Sequence, residues 1–332
     1  AEIDLPPQFE IIIVPEAMPQ TKPKALNYAL HFARGDLVVI FDAEDIPEPD
    51  QLRKAAETFA AAPPELVCLQ ARLTFYNANE NWLTRQFTIE YAVLFDLVLP
   101  FLASFGLPLP LGGTSNHFRI KALRQLGGWD AHNVTEDADL GIRLARFGWR
   151  ADVLDSSTFE EANNSFGNWL PQRARWLKGW IQTWFVHMRH PVDLWRQLGP
   201  AGFLVFQTLM AGIVVSTIVH PFFLAAIIWA LFTGTLLPLE PTSLDTLLTG
   251  IGLAVFTSGY AVTLGAGHIA LGLRGLGRLR VSVFAMPVYW ILISIGGWLA
   301  VKQFITHPFH WNKTSHGLSK RGPINVRARR QN

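Results

Sequence analysis

Four clusters of side chains along this chain have types and spacings that could do chemistry. Thr21-Lys22-Pro23-Lys24 sets two ammonium groups just ahead of a segment with helical spacing. They and the helix N-terminus could neutralise phosphate together. Asp42-Ala43-Glu44-Asp45 packs three carboxylates directly after the apolar run 37–41, and hard divalent cations take oxygen ligands of this kind. Thr135-Glu136-Asp137 offers carboxylates able to take a proton from a hydroxyl within hydrogen-bond reach. In Gln172-Arg173-Ala174-Arg175-Trp176, a helix would bring Gln172, Arg175 and Trp176 to one face at i, i+3 and i+4. That face joins a flat indole to donors suited to phosphate oxygens.

Each cluster also has a plainer reading. The lysines could be solvated surface, and the acidic loop could cap a helix over 48–61. Thr135 and its acidic neighbours make a good helix start with a favourable dipole. The arginines and tryptophans of 169–189 suit an amphipathic helix at a membrane–water interface.

The elements that must position these groups alternate. Residues 9–14 (Phe-Glu-Ile-Ile-Ile-Val) and 37–41 (Leu-Val-Val-Ile-Phe) are short apolar runs bounded by turn residues. Both read as buried strands of a parallel sheet. Between them 25–33 has helical spacing and stops at Gly35, and 50–62 reads as the next helix. Such α/β sheets bind ligands at the carboxyl ends of their strands, where Asp42, Glu44 and Asp45 fall. Residues 135–147 set Leu140, Ile142, Leu144 and Phe147 against Glu136, Asp139, Arg143 and Arg146, an amphipathic helix. The apolar stretch 97–111 is too broken by Pro, Phe and Gly for a spanning helix and reads as an interfacial loop or a buried core segment.

Composition points to a membrane. The mean hydropathy is +0.22 with 16% charged residues, unusual for a soluble protein of 332 residues. From Gly202 onward ten Lys and Arg face two acidic residues, a net +8, and the remainder carries −6. The pI of about 8.8 therefore reflects a basic membrane-proximal half, and no nucleic-acid partner is implied. The single cysteine, Cys68, excludes an intrachain disulfide framework and reads as a buried thiol. Uncharged stretches follow Arg196, from Thr246 to Leu273, and from Val281 to Val301. Each is long enough to span. His220-Pro221 should break the first into an interfacial helix and one span near 221–237. The basic loop 272–280 and the basic tail both belong on the cytoplasmic side, which three spans cannot satisfy. Either Val281–Ile305 is interfacial or re-entrant, or 202–237 crosses differently.

In this order, with hydrophobic stretches after the last, the four motifs resemble the processive family 2 glycosyltransferases: the cellulose, hyaluronan, chitin and mannan synthases. The resemblance covers nearly the whole chain. It implies an α/β, GT-A-like nucleotide-sugar-binding domain with a Rossmann-like sheet, followed by interfacial and transmembrane α-helices. It implies Mg²⁺ or Mn²⁺ held by Asp42 with Glu44 or Asp45, Glu44 standing at the second Asp of the family's Asp-x-Asp. Lys22 aligns better than Lys24 with the family's lysine, and both join Asp42 and Arg175 as donor-binding candidates. Asp137 becomes the catalytic base with Glu136 supporting it. Gln172 and Trp176 become the acceptor platform, with Thr114 and Ser115 of Gly112-Gly113-Thr114-Ser115-Asn116 at the acceptor terminus. Trp311–Gly317 resembles a gating loop. Family members carry an earlier strand that binds the base, so the chain reads as truncated at its front.

The organisation expected is a cytoplasmic catalytic domain over 1–165, amphipathic interfacial helices over 166–200, two to three spans within 201–305, and a basic tail over 306–332. The function expected is inverting polymerisation of a β-linked glycan, with UDP-glucose ahead of GDP-mannose as donor, at a bacterial inner membrane. The partners are a nucleotide sugar, the growing glycan and membrane lipid. The alternatives are transfer of a single sugar to a lipid or protein, or an inactive scaffold or transport subunit.

Overall fold

The computed structural model describes residues 6, 8–236, 242–309 and 317–319. Thr21 stands at the N-cap of α1 (Lys22–Leu30), and Pro23 sits in the first turn, where no backbone donor is needed. Both lysines thus ride inside the helix's first turn. β1 (Leu37–Ile40) delivers the acidic loop, and β2 (Ile46–Pro47) and α2 (Gln51–Ala61) continue the alternation. β3 (Leu66–Phe75) leads to α3 (Trp82–Val93), which opens with a capping box between Asn81 and Thr84. α3 runs on through a π-helical stretch (Leu94–Val98) into α4 (Leu99–Ser104). The stretch expected to be too broken for a helix is therefore helical as far as Ser104. The wide π turn falls just before Pro100, where a regular helix would clash with the ring. Leu99, Leu102, Leu109 and Leu111 are buried, which favours the core alternative. β4 (Asn116–Arg119), α5 (Ile120–Gln125), α6 (Glu136–Arg146) and β5 (Arg150–Glu160) complete the α/β unit.

The strand order is β1-β4-β3-β5-β2. Only β3 and β5 pair in parallel, and the other three pairings are antiparallel. The sheet expected to be parallel is mixed. The run 9–14 is not part of it, and Ile11 and Ile13 stand exposed. An apolar run supplies strand propensity, but its N–H and C=O groups need a neighbouring strand, and among the described residues none lies beside it. α2 covers one face of the sheet, packing Ala55 and Phe59 on Leu69, Ala71 and Leu154. α4 and α6 cover the other with Leu99, Leu102, Leu140 and Leu144 on Val67, Leu73, Phe118 and the buried Cys68.

α7 (Phe166–His187) lies against this unit at both ends, joined through Gln172 to Asn163 and through His187 to Asp139. α8 (Pro191–Phe206) kinks at Gly199, whose φ of 68° a side chain would resist. It passes through a second π stretch (Gln207–Gly212) into α9 (Ile213–Thr233). His220-Pro221 does not break this helix. In an apolar setting the helix persists through proline, because leaving it would strand far more backbone groups than the ring removes. α10 (Ser243–Leu273), a 3-10 stretch (Gly277–Ala285) and α11 (Met286–Thr306) follow.

Among the described residues, four segments are long and apolar enough to cross a membrane: Trp82–Ser104, Pro191–Thr233, Ser243–Leu273 and Gly277–Thr306. Their settings differ. In the apolar windows of the first and last, 44% and 39% of residues are buried within the protein, against 6% and 0% for the middle two. α11 runs beside α7 in the same direction. Tyr289 meets Arg173 near its start, and at its end Lys178 and Gln182 reach the carbonyls of His307 and Pro308 (3.3 and 2.9 Å). Since α7 rests on the α/β unit at both ends, α11 is held against that unit too.

Candidate active site

The site forms where β1, α1, α6 and α7 converge. Asp42 and Asp45 close a turn after β1: the Asp45 N–H donates to the Asp42 carbonyl (3.1 Å), and the Asp42 N–H donates to Asp45 Oδ2 (2.7 Å). The Thr114 hydroxyl also donates to Asp45 Oδ2. Asp45 therefore spends its carboxylate holding the loop. Lys22 comes in from α1, pairing with Asp42 and donating to the Gly113 carbonyl (2.8 Å). A Cβ on Gly113 would lie 3.2 Å from Asp137 Oδ2, so glycine allows this loop to abut the first turn of α6. Gly179 does the same for α7: any side chain there would collide with Thr135. That close approach brings Arg175 beside the carboxylates, its Nη1 donating to the Val134 carbonyl (3.2 Å).

The electrostatics are crowded. Burial works against the Lys22 ammonium, yet Asp42, with Glu136 and Asp137 beyond, holds its pKa above the ordinary lysine value. Burial pushes Asp45 up to about 6, an effect the Thr114 hydroxyl and the Asp42 N–H oppose and the Asp42 and Glu44 charges reinforce. Burial also raises Asp137, against the pull of the Ala138 N–H, Lys22 and Arg175. Glu136 is raised by burial first and by Asp137 second, so the two titrate as a pair. Glu160, at the end of β5, is pushed well above its usual range by burial and then by Asp45 and Asp42. It is a fourth carboxylate of the cluster that Phe-Glu-Glu gave no sign of in the sequence.

The remaining expected site residues divide. Thr135 is the N-cap of α6 but makes no side-chain cap bond, which removes the plainest capping reading of the motif. Gln172 accepts from Asn163 Nδ2 (2.7 Å), and Trp176 packs against Phe87 and Tyr91. Lys24 turns away, donating to the Pro15 and Ala17 carbonyls. Thr114 and Ser115 are buried; the Ser115 hydroxyl goes to Thr158 (2.7 Å) and the Thr114 hydroxyl to Asp45. Their side chains hold the loop together. Of the expected gating loop, Trp311–His316 lie outside the described residues. Gly317 and Ser319 donate their N–H groups to Glu161 (2.6 Å each). Lys178, which the sequence did not single out, is buried one turn beyond Arg175, and burial followed by that neighbour lowers it to about 8.

Among the described residues no three His, Cys, Asp or Glu side chains form a ready metal cage. The donor chemistry still fits a hard cation. Mg²⁺-type sites use one or two carboxylates and complete their shell with water and substrate phosphate, and Asp42 and Glu44 bring negative charge to this mouth beside Glu160.

Residues 37–299 match the family described as Glycosyl transferase family group 2. The chain is 29% identical over 210 residues to a beta-monoglucosyldiacylglycerol synthase of Synechocystis sp., covering 61% of this chain and 43% of that protein. It is 33% identical over 145 residues to glucomannan 4-beta-mannosyltransferase 2 of Arabidopsis thaliana, covering 43% and 27%. The chain thus spans under half the length of these curated relatives. Among solved structures it is similar to a mannosyltransferase from Pyrobaculum calidifontis in complex with GDP-Man and Mn²⁺, at 17% identity and a TM-score of 0.45, over 86% of this chain and 67% of that one.

Proposed function

The chain belongs to glycosyl transferase family group 2, and on that premise we propose that it transfers a hexose, with inversion, from a nucleoside diphosphate sugar to an acceptor hydroxyl at a membrane surface. It is a glycosyltransferase of α/β, GT-A-like fold. The observation that carries the reading is the convergence of Lys22, Asp42, Gly113, Glu136 and Asp137 on one mouth, with Arg175 beside them.

In this reading Asp137 takes the proton of the attacking hydroxyl, and Glu136, held protonated by burial and then by its neighbour's charge, orients it. Lys22 and Arg175 balance the charge that builds on the departing diphosphate. Asp42 and Glu44 are the carboxylates read as holding Mg²⁺ or Mn²⁺, since Asp45 is committed to the turn. When bound, the cation would neutralise the leaving diphosphate as a Lewis acid. Gln172 and Trp176 form the acceptor platform.

The acceptor is read as a growing β-linked glycan, supported by the motif order and by relatives named glucomannan mannosyltransferases. A second reading, one sugar passed to a lipid, draws on a relative named as a glycolipid synthase. For the membrane, α9 and α10 are proposed as a two-span hairpin with α11 interfacial, which leaves both basic segments on the catalytic side. This supports a multi-pass protein with its catalytic unit in the cytoplasm.

The test is a panel of radiolabelled nucleotide sugars with Mn²⁺ or Mg²⁺, given to the protein in liposomes containing diacylglycerol. Insoluble product from one donor, lost in Asp137→Asn, supports the polymerase. Label extracted into chloroform–methanol supports the glycolipid reading. Transfer that survives Asp137→Asn would overturn the assignment of the base.

A further inference from the structure

Behind Trp176 lies a part-buried ion pair that no motif required. Arg173 donates both Nη groups to Glu90 (2.6 and 2.7 Å), and Tyr289 of α11 joins them. Arg173 Nη2 lies 2.9 Å from the Tyr289 hydroxyl, which itself donates to Glu90 Oε2 (2.7 Å). The Arg173 side chain is 7% exposed, and its guanidinium sits 4.9 Å from the centroid of Trp176, 5.3 Å from Phe87 and Trp169, and 6.0 Å from Tyr289. Three helices meet at this charge: α3 through Glu90, α7 through Arg173, and α11 through Tyr289.

We propose that the Glu90–Arg173–Tyr289 triad positions Trp176 for a sugar acceptor and locks that platform to the interfacial helix α11. The proposal rests on the reading of Trp176 as the acceptor floor. An indole can bind a pyranose only if its plane is fixed, and Trp176 is only half-buried, with Phe87 and Tyr91 tilted against it. A planar cation over one face supplies the missing constraint, because it is attracted to the ring and is itself fixed by a two-pronged carboxylate. A lysine would keep the charge but not the plane or the fork. The Tyr289 hydroxyl extends the constraint to α11, whose C-terminal end carries the chain toward Lys178 and Gln182. Arg173, Glu90 and Tyr289 are thus positioning residues for acceptor binding and leave donor binding to the carboxylate mouth.

The experiment uses the full chain in nanodiscs, labelled with 5-fluorotryptophan, the Trp176 resonance being assigned by Trp176→Phe. Binding of mannohexaose, cellohexaose, UDP and GDP is measured by calorimetry on the same samples. Glu90→Gln and Arg173→Lys are expected to shift and broaden the Trp176 signal and to weaken binding of the preferred oligosaccharide about tenfold or more. Nucleotide affinity should stay within about twofold. Tyr289→Phe, which removes one hydroxyl and leaves the ion pair, should give a smaller change of the same kind. An unmoved Trp176 signal, or oligosaccharide and nucleotide weakened alike, would overturn the proposal. If Trp176→Ala itself leaves oligosaccharide binding unchanged, or neither oligosaccharide binds, the platform reading falls first and takes the triad's role with it. If Trp176→Ala weakens binding while Glu90→Gln and Tyr289→Phe do not, only the triad's role falls.

Discussion

Glu136 and Asp137 at the front of α6 and Asp139 two residues further on are acidic residues of a single helical turn, yet their surroundings act on them in opposite directions. At the front, burial raises both carboxyls, and the Asp137 charge raises Glu136 further. Behind, burial would raise Asp139 as well, but His187 (3.0 Å) and Arg143 (2.8 Å) bond its two oxygens and hold it below the usual range. Among the described residues the front carboxylates accept no side-chain hydrogen bond, while the rear one is already satisfied. A charge kept costly in the free enzyme is one that substrate can relieve. A charge already paired fastens α6 to α7.

Substitutions should separate the two faces. Asp137→Asn is expected to lower kcat/KM by about 10²–10⁴-fold, the range of a lost general base, with the melting temperature nearly unchanged. Asp139→Asn should do the reverse. Removing one member of a buried pair costs roughly 3–5 kcal/mol, so thermal unfolding should move far down while the molecules still folded keep most of their turnover. Equal losses of activity in both variants, at equal stability, would dissolve the distinction between the faces.

The acidic loop sharpens the same contrast at a smaller scale. Asp42→Asn and Glu44→Gln should each raise the Mn²⁺ concentration needed for half-maximal activity, and should do so more than Asp45→Asn. Because Asp45 acts through the turn, its loss fits the roughly 10–100-fold typical of residues that orient metal ligands. If Asp45→Asn proved the most damaging of the three, the ligand assignment would pass from Glu44 to Asp45.

Much of the front face could be read from residue spacing, and little of what supports it could. The acidic loop after β1, the acidic start of α6 and the shared face of Gln172, Arg175 and Trp176 are local patterns, and local geometry placed them. Glu160, Glu90 and Arg173 come together only through the pairing of β3 with β5 and the packing of α3, α7 and α11, which no local period reports. β5 itself hides behind its polar residues, of which Ser156 and Thr158 serve Gln51 and Ser115 inside the fold. The membrane region was legible as apolar length but not as topology. Hydropathy cannot separate α11, packed along α7, from α10, whose apolar window is open to its surroundings.

The smallest effect expected is also the one that ties the charge balance to stability. Asp45 has an ordinary carboxyl value of 3.8 once unfolded and is pushed up to about 6 in the fold. Between those values the folded chain holds a proton that the unfolded chain has released, so raising the pH favours unfolding through this group. Asp139 works the other way: its folded value is lowered, so its contribution is present above the unfolded value and is lost as pH falls through the folded one. The metal-free protein should therefore lose thermal stability as pH rises from about 4 to 6, and Asp45→Asn should flatten that slope. A divalent cation replaces the missing proton as the counter-charge, so Mn²⁺ should raise the melting temperature more at pH 7.5 than at pH 5. The same Mn²⁺ gain at both pH values, with an unchanged slope in Asp45→Asn, would mean that the carboxylates at this mouth titrate independently of the cation they are proposed to hold.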